Sequence, residues 1–185
     1  MSTRIEKDFV LRSGVHFEGK FLINEYKLTL SMIVETEDVR EQAVAMERIE
    51  YFLSEKIENS IIVNKAETKQ IELYKKAGLS VVTLPEEPYD QILGMVLLQK
   101  LNSILEKRLI VTDLLIGSFL SDGVKFTIIS EIAESLLENN GWYVENSLNT
   151  NDIENKSKAN NIVKLFQDQW VEIGLTWREK KTNGK

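Results

Sequence analysis

Apolar and polar residues alternate most regularly in residues 20–34 of this chain. One face of this run carries Tyr26, Leu28, Leu30, Met32 and Val34, and the other carries Glu25, Lys27, Thr29 and Ser31. A period of two residues is typical of an antiparallel strand with one buried and one wet face. Residues 8–18 alternate in the same way, and Gly19 separates the two runs. We therefore predict one long β-hairpin over residues 8–34.

The middle of the chain changes to helical spacing. Residues 37–59 place apolar side chains three and four positions apart, and the polar side of this helix includes Glu41, Glu47 and Arg48. A stronger apolar stripe begins behind Pro88 and runs over residues 89–105, which predicts a second long helix. Between them lie a short apolar run at residues 60–64, a brief helix at residues 67–77, and residues 79–84, which are either a strand or an extended connector.

A second hairpin is predicted after these helices. Residues 109–120 and 124–130 are rich in β-branched and apolar side chains, and Ser121, Asp122 and Gly123 between them are typical of a tight turn. The fold class is therefore α+β: a hairpin, two long helices and a hairpin within residues 1–130.

Residues 131–185 form a predicted helical extension. Its polar stretch, residues 145–160, reads as a linker or loop, and helical spacing returns over residues 161–177. The three tryptophans of the chain, Trp142, Trp170 and Trp177, all lie in this extension. They either complete the core or hold the extension against a neighbouring subunit.

Composition narrows the functional classes. The chain has 185 residues, a net charge of −6 and no cysteine. The net charge argues against binding nucleic acid, which needs clustered Lys and Arg. The absence of cysteine removes disulfides and thiolate zinc sites. We find no signal peptide and no membrane-length apolar run, and we expect a soluble, cytoplasmic protein that does not contact a membrane.

Three short motifs, in this order, resemble the tunnelling-fold family that contains 6-pyruvoyl-tetrahydropterin synthase and carboxy-tetrahydropterin synthase. They are Asn24-Glu25-Tyr26-Lys27-Leu28, Pro88-Tyr89-Asp90-Gln91-Ile92-Leu93, and Asp122-Gly123 in the second hairpin. The resemblance covers about residues 6–130. It implies homo-oligomers in which strand edges pair into barrels. Two hairpins with apolar faces also leave open edges that a partner must cover.

The chain departs from this family where the chemistry lies. The resemblance implies a zinc site made of three histidines, but His16 is the only histidine. The catalytic cysteine of the synthases has no counterpart. The substrate-holding glutamate of the family should fall near Ile116, Gly117 or Ser118, none of which is acidic. We therefore expect no metal, no cofactor and no zinc-dependent pterin chemistry.

Four residues remain as candidates for ligand binding. His16 is either a packing residue or a ligand, and Glu25 is on the polar face of the hairpin. Asp113 sits inside an apolar strand, where it forms a salt bridge or serves as a functional carboxylate. Ser118 follows a glycine that marks either a bulge or a close approach of a ligand.

These observations favour a non-catalytic, oligomer-forming structural or interaction protein. The alternative is a metal-independent enzyme or binding protein for a pterin- or purine-like heterocycle. Its pocket would combine His16 and Glu25 with Asp113 or Ser118 of an adjacent subunit.

Overall fold

The structure is a computed structural model that describes residues 3–137, 140–152 and 173–177. In these ranges it contains one six-stranded sheet and four α-helices, and the predicted α+β class is confirmed. The strands are β1 (Arg4–Phe17), β2 (Lys20–Val34), β3 (Ile61–Asn64), β4 (Val81–Leu84), β5 (Leu109–Ser118) and β6 (Lys125–Ile129). The helices are α1 (Val39–Phe52), α2 (Thr68–Lys76), α3 (Asp90–Leu105) and α4 (Ser130–Leu136), and a π-helical turn, Leu53–Ile57, extends α1.

The sheet has the strand order β4-β3-β1-β2-β5-β6. The pairs β1–β2, β2–β5 and β5–β6 are antiparallel, whereas β3 is parallel to both β1 and β4. Strands β1 and β2 pair along their whole length, but β3 pairs with β1 only at residues 14–16. The first half of β1 therefore has β2 on one side and no strand of the described chain on the other.

The alternation along β2 defines the two faces of the sheet. Tyr26, Leu28, Leu30 and Met32 are buried on the core face, where α1 and α3 cover them. Helix α3 lies against the sheet at Gly94, because a Cβ at that position would come within 2.9 Å of Ile128 Cγ1. The opposite face, called the outer face below, carries the odd-numbered residues of β2 from Glu25 to Thr29.

The short connector elements extend the sheet. The sequence predicts either a strand or a connector for residues 79–84. They contain β4, which pairs with β3. Helix α2 covers the outer face near this end of the sheet through Ile71, which packs with Val63 and Val81.

The described part of the C-terminal extension shares the core of the preceding residues. Trp142 and Tyr143 are buried in the main core cluster, as is Leu175. Within the predicted linker, residues 145–152 are described, and Thr150 O accepts a hydrogen bond of 2.8 Å from the backbone of Thr83 in β4. The division at residue 130 stays a prediction, and residues 153–172, including Trp170, lie outside the described ranges.

Helix α1 corrects one prediction. The helical spacing predicts Arg48 on the solvated face, but its side chain is buried. Its Nη1 donates to Ile104 O at 2.7 Å, and its Nε donates to Leu175 O at 2.8 Å. The guanidinium also lies 4.1 Å from the ring centroid of Trp177, so Arg48 ties α1 to the end of α3 and to residues 173–177.

Candidate functional site

The four candidate residues lie in different surroundings within one chain. His16 is on the outer face of β1, only 7% exposed, and its Nδ1 is 2.9 Å from the Tyr74 hydroxyl of α2. Phe21, its cross-strand partner, also lies beside Tyr74, with ring centroids 6.3 Å apart. His16 thus packs beneath α2, away from the other three candidates.

Glu25 and Asp113 each have a cationic partner. Glu25 Oε2 accepts from Arg12 Nε at 2.9 Å, directly across the β1–β2 pair. Asp113 Oδ2 accepts from Arg4 Nη2 at 3.0 Å and from the Thr112 hydroxyl at 2.8 Å. The sequence predicts either a salt bridge or a functional carboxylate for Asp113. Within the chain, Asp113 forms a salt bridge to Arg4.

Ser118 lies close to Glu25 at the end of β5. Both residues line an outer-face cavity of about 280 Å³ that also includes Lys27 and Lys125. The Ser118 side chain itself reaches Asp90 at the start of α3, since Ser118 Oγ donates to Asp90 Oδ1 at 3.0 Å. The structure therefore brings Glu25 and Ser118 together and leaves His16 and Asp113 elsewhere.

A buried polar group lies on the core face at this end of the sheet. It consists of Asn24, Tyr26, Asp90 and Ser118, which we call the Asp90 cluster. Tyr26 is the cross-strand partner of Ser118, and Asn24 precedes Tyr26 by two residues on the same face. Asn24 and Tyr26 are each 1% exposed and Asp90 is 6% exposed.

The Asp90 cluster contains polar atoms without hydrogen-bond partners. Both amide atoms of Asn24, the Tyr26 hydroxyl and Asp90 Oδ2 are buried and have no partner in good hydrogen-bond geometry, although Asn24 and Tyr26 are close enough to affect each other. A buried polar group left unpaired costs about 1–3 kcal/mol. Several such groups in one place indicate a position that water or a polar ligand fills.

Burial also sets the chemistry of Tyr26. It raises the pKa of the phenol well above its usual range; interaction with the neighbouring Asn24 side chain lowers the pKa in part, and the nearby charge of Asp90 raises it further. Tyr26 is therefore a neutral hydrogen-bond donor at physiological pH. Together with Asp90 Oδ2 as an acceptor and Asn24 as both donor and acceptor, it can satisfy a molecule with mixed donors and acceptors.

An aromatic cavity of about 260 Å³ adjoins the Asp90 cluster through Asp90. Its walls include Phe17, Tyr89, Leu120 and Phe126. The rings of Phe17 and Tyr89 meet edge to face, with centroids 5.2 Å apart. A cavity with apolar walls and a buried carboxylate at its side suits a small planar molecule.

Sequence reasoning identified only Ser118 of the Asp90 cluster. Asn24 carried a usable signal, because it is a polar residue on the apolar face of an alternating strand. Asp90 carried no signal of a functional role in the sequence. An acidic residue in the first turn of a helix is ordinarily explained by its favourable interaction with the helix dipole.

Two further observations apply to the described ranges alone. In them, no group of three or more His, Cys, Asp or Glu side chains is arranged to hold a metal ion. No described helix combines the length and apolar character needed to cross a membrane.

Comparison with known proteins shows a similar fold but gives no information about function. No protein-family model matches this chain, and no curated protein matches it. Among solved structures, the chain is similar to an uncharacterized protein, WS1659, from Wolinella succinogenes. The two are 12% identical with a TM-score of 0.50, and the match covers 70% of this chain and 98% of the other.

Proposed function

We propose that this chain is a non-catalytic structural or interaction protein of tunnelling-fold type whose homo-oligomer is the functional unit. The observation that carries this proposal is the contrast between the two ends of its sheet. At one end β4 is covered, since Thr83 and Val81 are hydrogen-bonded to Thr150. At the other end, no described residue pairs with the free side of β6.

Exposed strand edges with apolar surroundings favour pairing with another chain. Around β6, Ile129 is 40% exposed, and Ile132 and Leu136 of the following helix are 50% and 67% exposed. The first half of β1 is a second edge that no strand of the described residues covers. The antiparallel strands β1, β2, β5 and β6, with α1 and α3 on one face, also support the tunnelling-fold type. The β3–β4 pair with α2 is then an addition to it.

Light scattering of the purified protein, with and without a chelator, tests the proposal. We expect a mass of several subunits that a chelator leaves unchanged, because the proposed contacts are strand edges and apolar side chains. A monomer at micromolar concentration would exclude an assembly function and any site that depends on two subunits.

A second candidate function is metal-independent binding of a pterin- or purine-like heterocycle. The Asp90 cluster favours it, because such a heterocycle carries alternating N–H donors and acceptors along one edge. Its flat ring would suit the cavity beside Phe17 and Tyr89. The Asp90 cluster is not the ligand site that the sequence predicts. Of the four residues of that predicted site, only Ser118 belongs to the cluster.

Thermal unfolding with added neopterin or guanosine tests this candidate. We expect a higher Tm for the wild type, and no shift for Asp90→Asn, whose amide replaces one acceptor by a donor. Asp122→Asn, a carboxylate change in the nearby β5–β6 turn, is the matched control and should keep the shift. Equal shifts in all three proteins, or none in the wild type, would exclude binding at the Asp90 cluster.

A further inference from the structure

A cavity of about 630 Å³ lies at the end of α3 and the start of β5. Its other walls come from α4 and from Val144. The Asp90 cluster adjoins the start of α3 and the end of β5, so the two sites are at opposite ends of the same two elements. Small-molecule sites in proteins typically have volumes of about 300–1,000 Å³, a range that includes this cavity.

Hydrogen bonds within the chain hold the walls of this cavity in place. Asn102 Nδ2 donates to Val111 O at 3.0 Å, and Asn102 Oδ1 accepts from Val111 N–H at 2.8 Å, which joins α3 to β5. Ser103 Oγ lies 3.1 Å from Tyr143 O and ties the neighbour of Val144 to the same helix. Ala133 anchors α4 in the main core cluster. The cavity is therefore formed before a ligand arrives, and binding requires little ordering of its walls.

The lining combines apolar side chains with one cation and one anion. The apolar side chains are those of Leu98, Leu109, Ile110, Ala133 and Val144. The charged side chains are those of Lys107 and Glu134. In the part of the chain that the structure describes, these two form no ion pair with each other or with another residue.

The backbone at Lys107 is strained. Lys107 follows Glu106 in the tight turn from α3 to β5, which a hydrogen bond of 2.9 Å from Arg108 N–H to Leu105 O closes. The φ angles are 49° at Glu106 and 66° at Lys107. Asn and Gly are the usual residues at two consecutive left-handed positions, because other side chains are strained there.

Packing explains Glu106 but not Lys107. Glu106 Oε1 accepts from Asn146 Nδ2 at 3.0 Å, whereas the exposed Lys107 side chain has no such contact among the described residues. The dipole of α3 favours a cation at this end, but Arg108 already donates to Glu106 O at 3.0 Å. Strained residues that add nothing to packing are typical of ligand sites. The strain therefore indicates a binding role for the Lys107 side chain.

We propose that this cavity binds a zwitterionic ligand of the amino-acid class, of about dipeptide size and with apolar side chains. Lys107 binds its carboxylate, Glu134 binds its ammonium group, and its side chains pack against Leu98, Leu109 and Ile110. Only a ligand that carries both charges pairs both of these side chains at once. This binding site is separate from the Asp90 cluster and does not depend on the proposed homo-oligomer.

Isothermal titration calorimetry with leucyl-leucine tests the proposal. We expect saturable binding to the wild type. N-acetyl-leucyl-leucine lacks the ammonium group and leucyl-leucine amide lacks the carboxylate, so each should bind about tenfold or more weakly. Glycylglycine keeps both charges but has no apolar side chain, and it should also bind about tenfold or more weakly.

Two variants assign each charge of the ligand to its partner. Lys107→Met should bind leucyl-leucine and its amide equally, because the carboxylate no longer has a cation to contact. Glu134→Gln should bind leucyl-leucine and its N-acetyl derivative equally, for the corresponding reason. Lys69→Met on α2 and Glu131→Gln on α4 change exposed residues outside the cavity, and these matched controls should bind as the wild type does.

Lys107→Gly separates a binding role from a structural one. Glycine removes the left-handed strain at this position, so the variant should have a Tm no lower than that of the wild type. It should nevertheless lose as much affinity for leucyl-leucine as Lys107→Met. A Tm several degrees below that of the wild type would show that Lys107 stabilises the turn, and would contradict the binding role inferred from the strain.

The remaining outcomes are equally decisive. A wild-type protein that does not bind leucyl-leucine would overturn the proposal. Binding that neither Lys107→Met nor Glu134→Gln weakens would place the peptide elsewhere on the chain and would also overturn it. Equal affinity of the wild type for leucyl-leucine and its N-acetyl derivative would indicate an anionic, rather than a zwitterionic, ligand. The proposed homo-oligomer is tested separately, by the solution mass.

Discussion

Lys100 shows how a single buried side chain holds the C-terminal extension to α3. Its side chain is fully buried, and its Nζ donates to Trp142 O at 2.9 Å and to Glu145 O at 2.7 Å. The ammonium also lies 5.3 Å from the centroid of the Trp142 ring. Burial lowers the pKa of Lys100 to about 7.

This lowered pKa predicts a dependence of stability on pH. In the unfolded chain a lysine keeps its proton up to its ordinary pKa of 10.5, whereas folded Lys100 loses it near pH 7. The unfolded state therefore binds more protons between these values, and stability should rise with pH from about 7 to 10.5, by at most about 1.4 kcal/mol per pH unit.

Urea unfolding at pH 7 and pH 9 measures this effect. Lys100→Met should remove most of the rise, because it removes the titrating group and keeps much of the volume. Lys107→Met, an exposed lysine beyond the end of α3, should keep the rise. An identical pH dependence in wild type and Lys100→Met would contradict the assignment.

At the residue scale, the sequence pointed to individual side chains, but it did not predict which residues they contact in the fold. Asp113 was singled out for its apolar strand, and its salt bridge to Arg4 was one of the alternatives left open. The contact of His16 with Tyr74 spans 58 residues and depends on how α2 packs on the sheet. The Asp90 cluster depends on the register that places Tyr26 beside Ser118, which no local pattern encodes.

At the scale of elements, a close approach of a helix to the sheet occurs at Gly94 of α3. We expect Gly94→Ala to lower the free energy of unfolding by up to about 2 kcal/mol. The new methyl group would meet Ile128 and Ile116 at about 3 Å. Overpacking typically costs about 1–3 kcal/mol, which exceeds the roughly 1 kcal/mol that alanine gains in helix propensity.

Chemical denaturation of the purified variant measures this change. Glu47→Ala, at an exposed position of α1, provides a control in which alanine improves helix propensity without a steric conflict. A Gly94→Ala protein that is more stable than wild type would show that α3 does not approach the strands as closely as described.

A second prediction concerns the contact between α1 and residues 173–177. Arg48→Lys keeps the charge but loses the planar group that reaches Ile104 O and Leu175 O and stacks on Trp177. We expect a loss of about 1–3 kcal/mol, because at least one buried carbonyl loses its donor. Trp177 should also become more accessible to a fluorescence quencher.

Arg40→Lys, an exposed change on the same helix, is the matched control. Equal stability of the two variants would mean that Arg48 does not hold residues 173–177 in solution. The sequence predicted α1 itself but assigned Arg48 to the solvated face. That error arose because its partners lie at residues 104, 175 and 177, far along the chain.

The elements with strong periodicity were the most predictable. Residues 89–105 contain α3, and residues 20–34 form β2. The sequence allows β4 to be a strand or a connector, because its four residues, of which three are apolar, show no clear period of their own. Pairing with β3 makes them a strand.

For the whole molecule, pairing of two different strand edges between copies would give a closed ring when the rotation between copies closes, and a filament when it does not. We expect a ring of fixed size, so one sedimenting species should persist over about a 100-fold range of protein concentration. Sedimentation velocity measures this directly. A mass that grows steadily with concentration would indicate open chains of subunits.

The α+β class of the whole molecule followed from the order of periodic segments. The mixed arrangement of the sheet did not follow from this order. The pairing of β3 with β1 joins residues that are far apart in the sequence. It depends on the buried groups of Ser60 and Ile61 finding partners at Gly14 and Ser80. The proposed assembly depends on the same detail, since β3 covers only the second half of β1 and leaves the first half open.

The tie between Arg48 and Leu175 joins residues that are 127 positions apart. During synthesis, α1 leaves the ribosome long before its partner at Leu175 has been translated. The nascent chain therefore carries the Arg48 guanidinium without its partner at Leu175 for most of its synthesis. Contacts of such long separation slow folding. A chain held on the ribosome with residue 175 still inside the exit tunnel should be cleaved readily by proteases, and a chain whose residues 173–177 have left the tunnel should be protected.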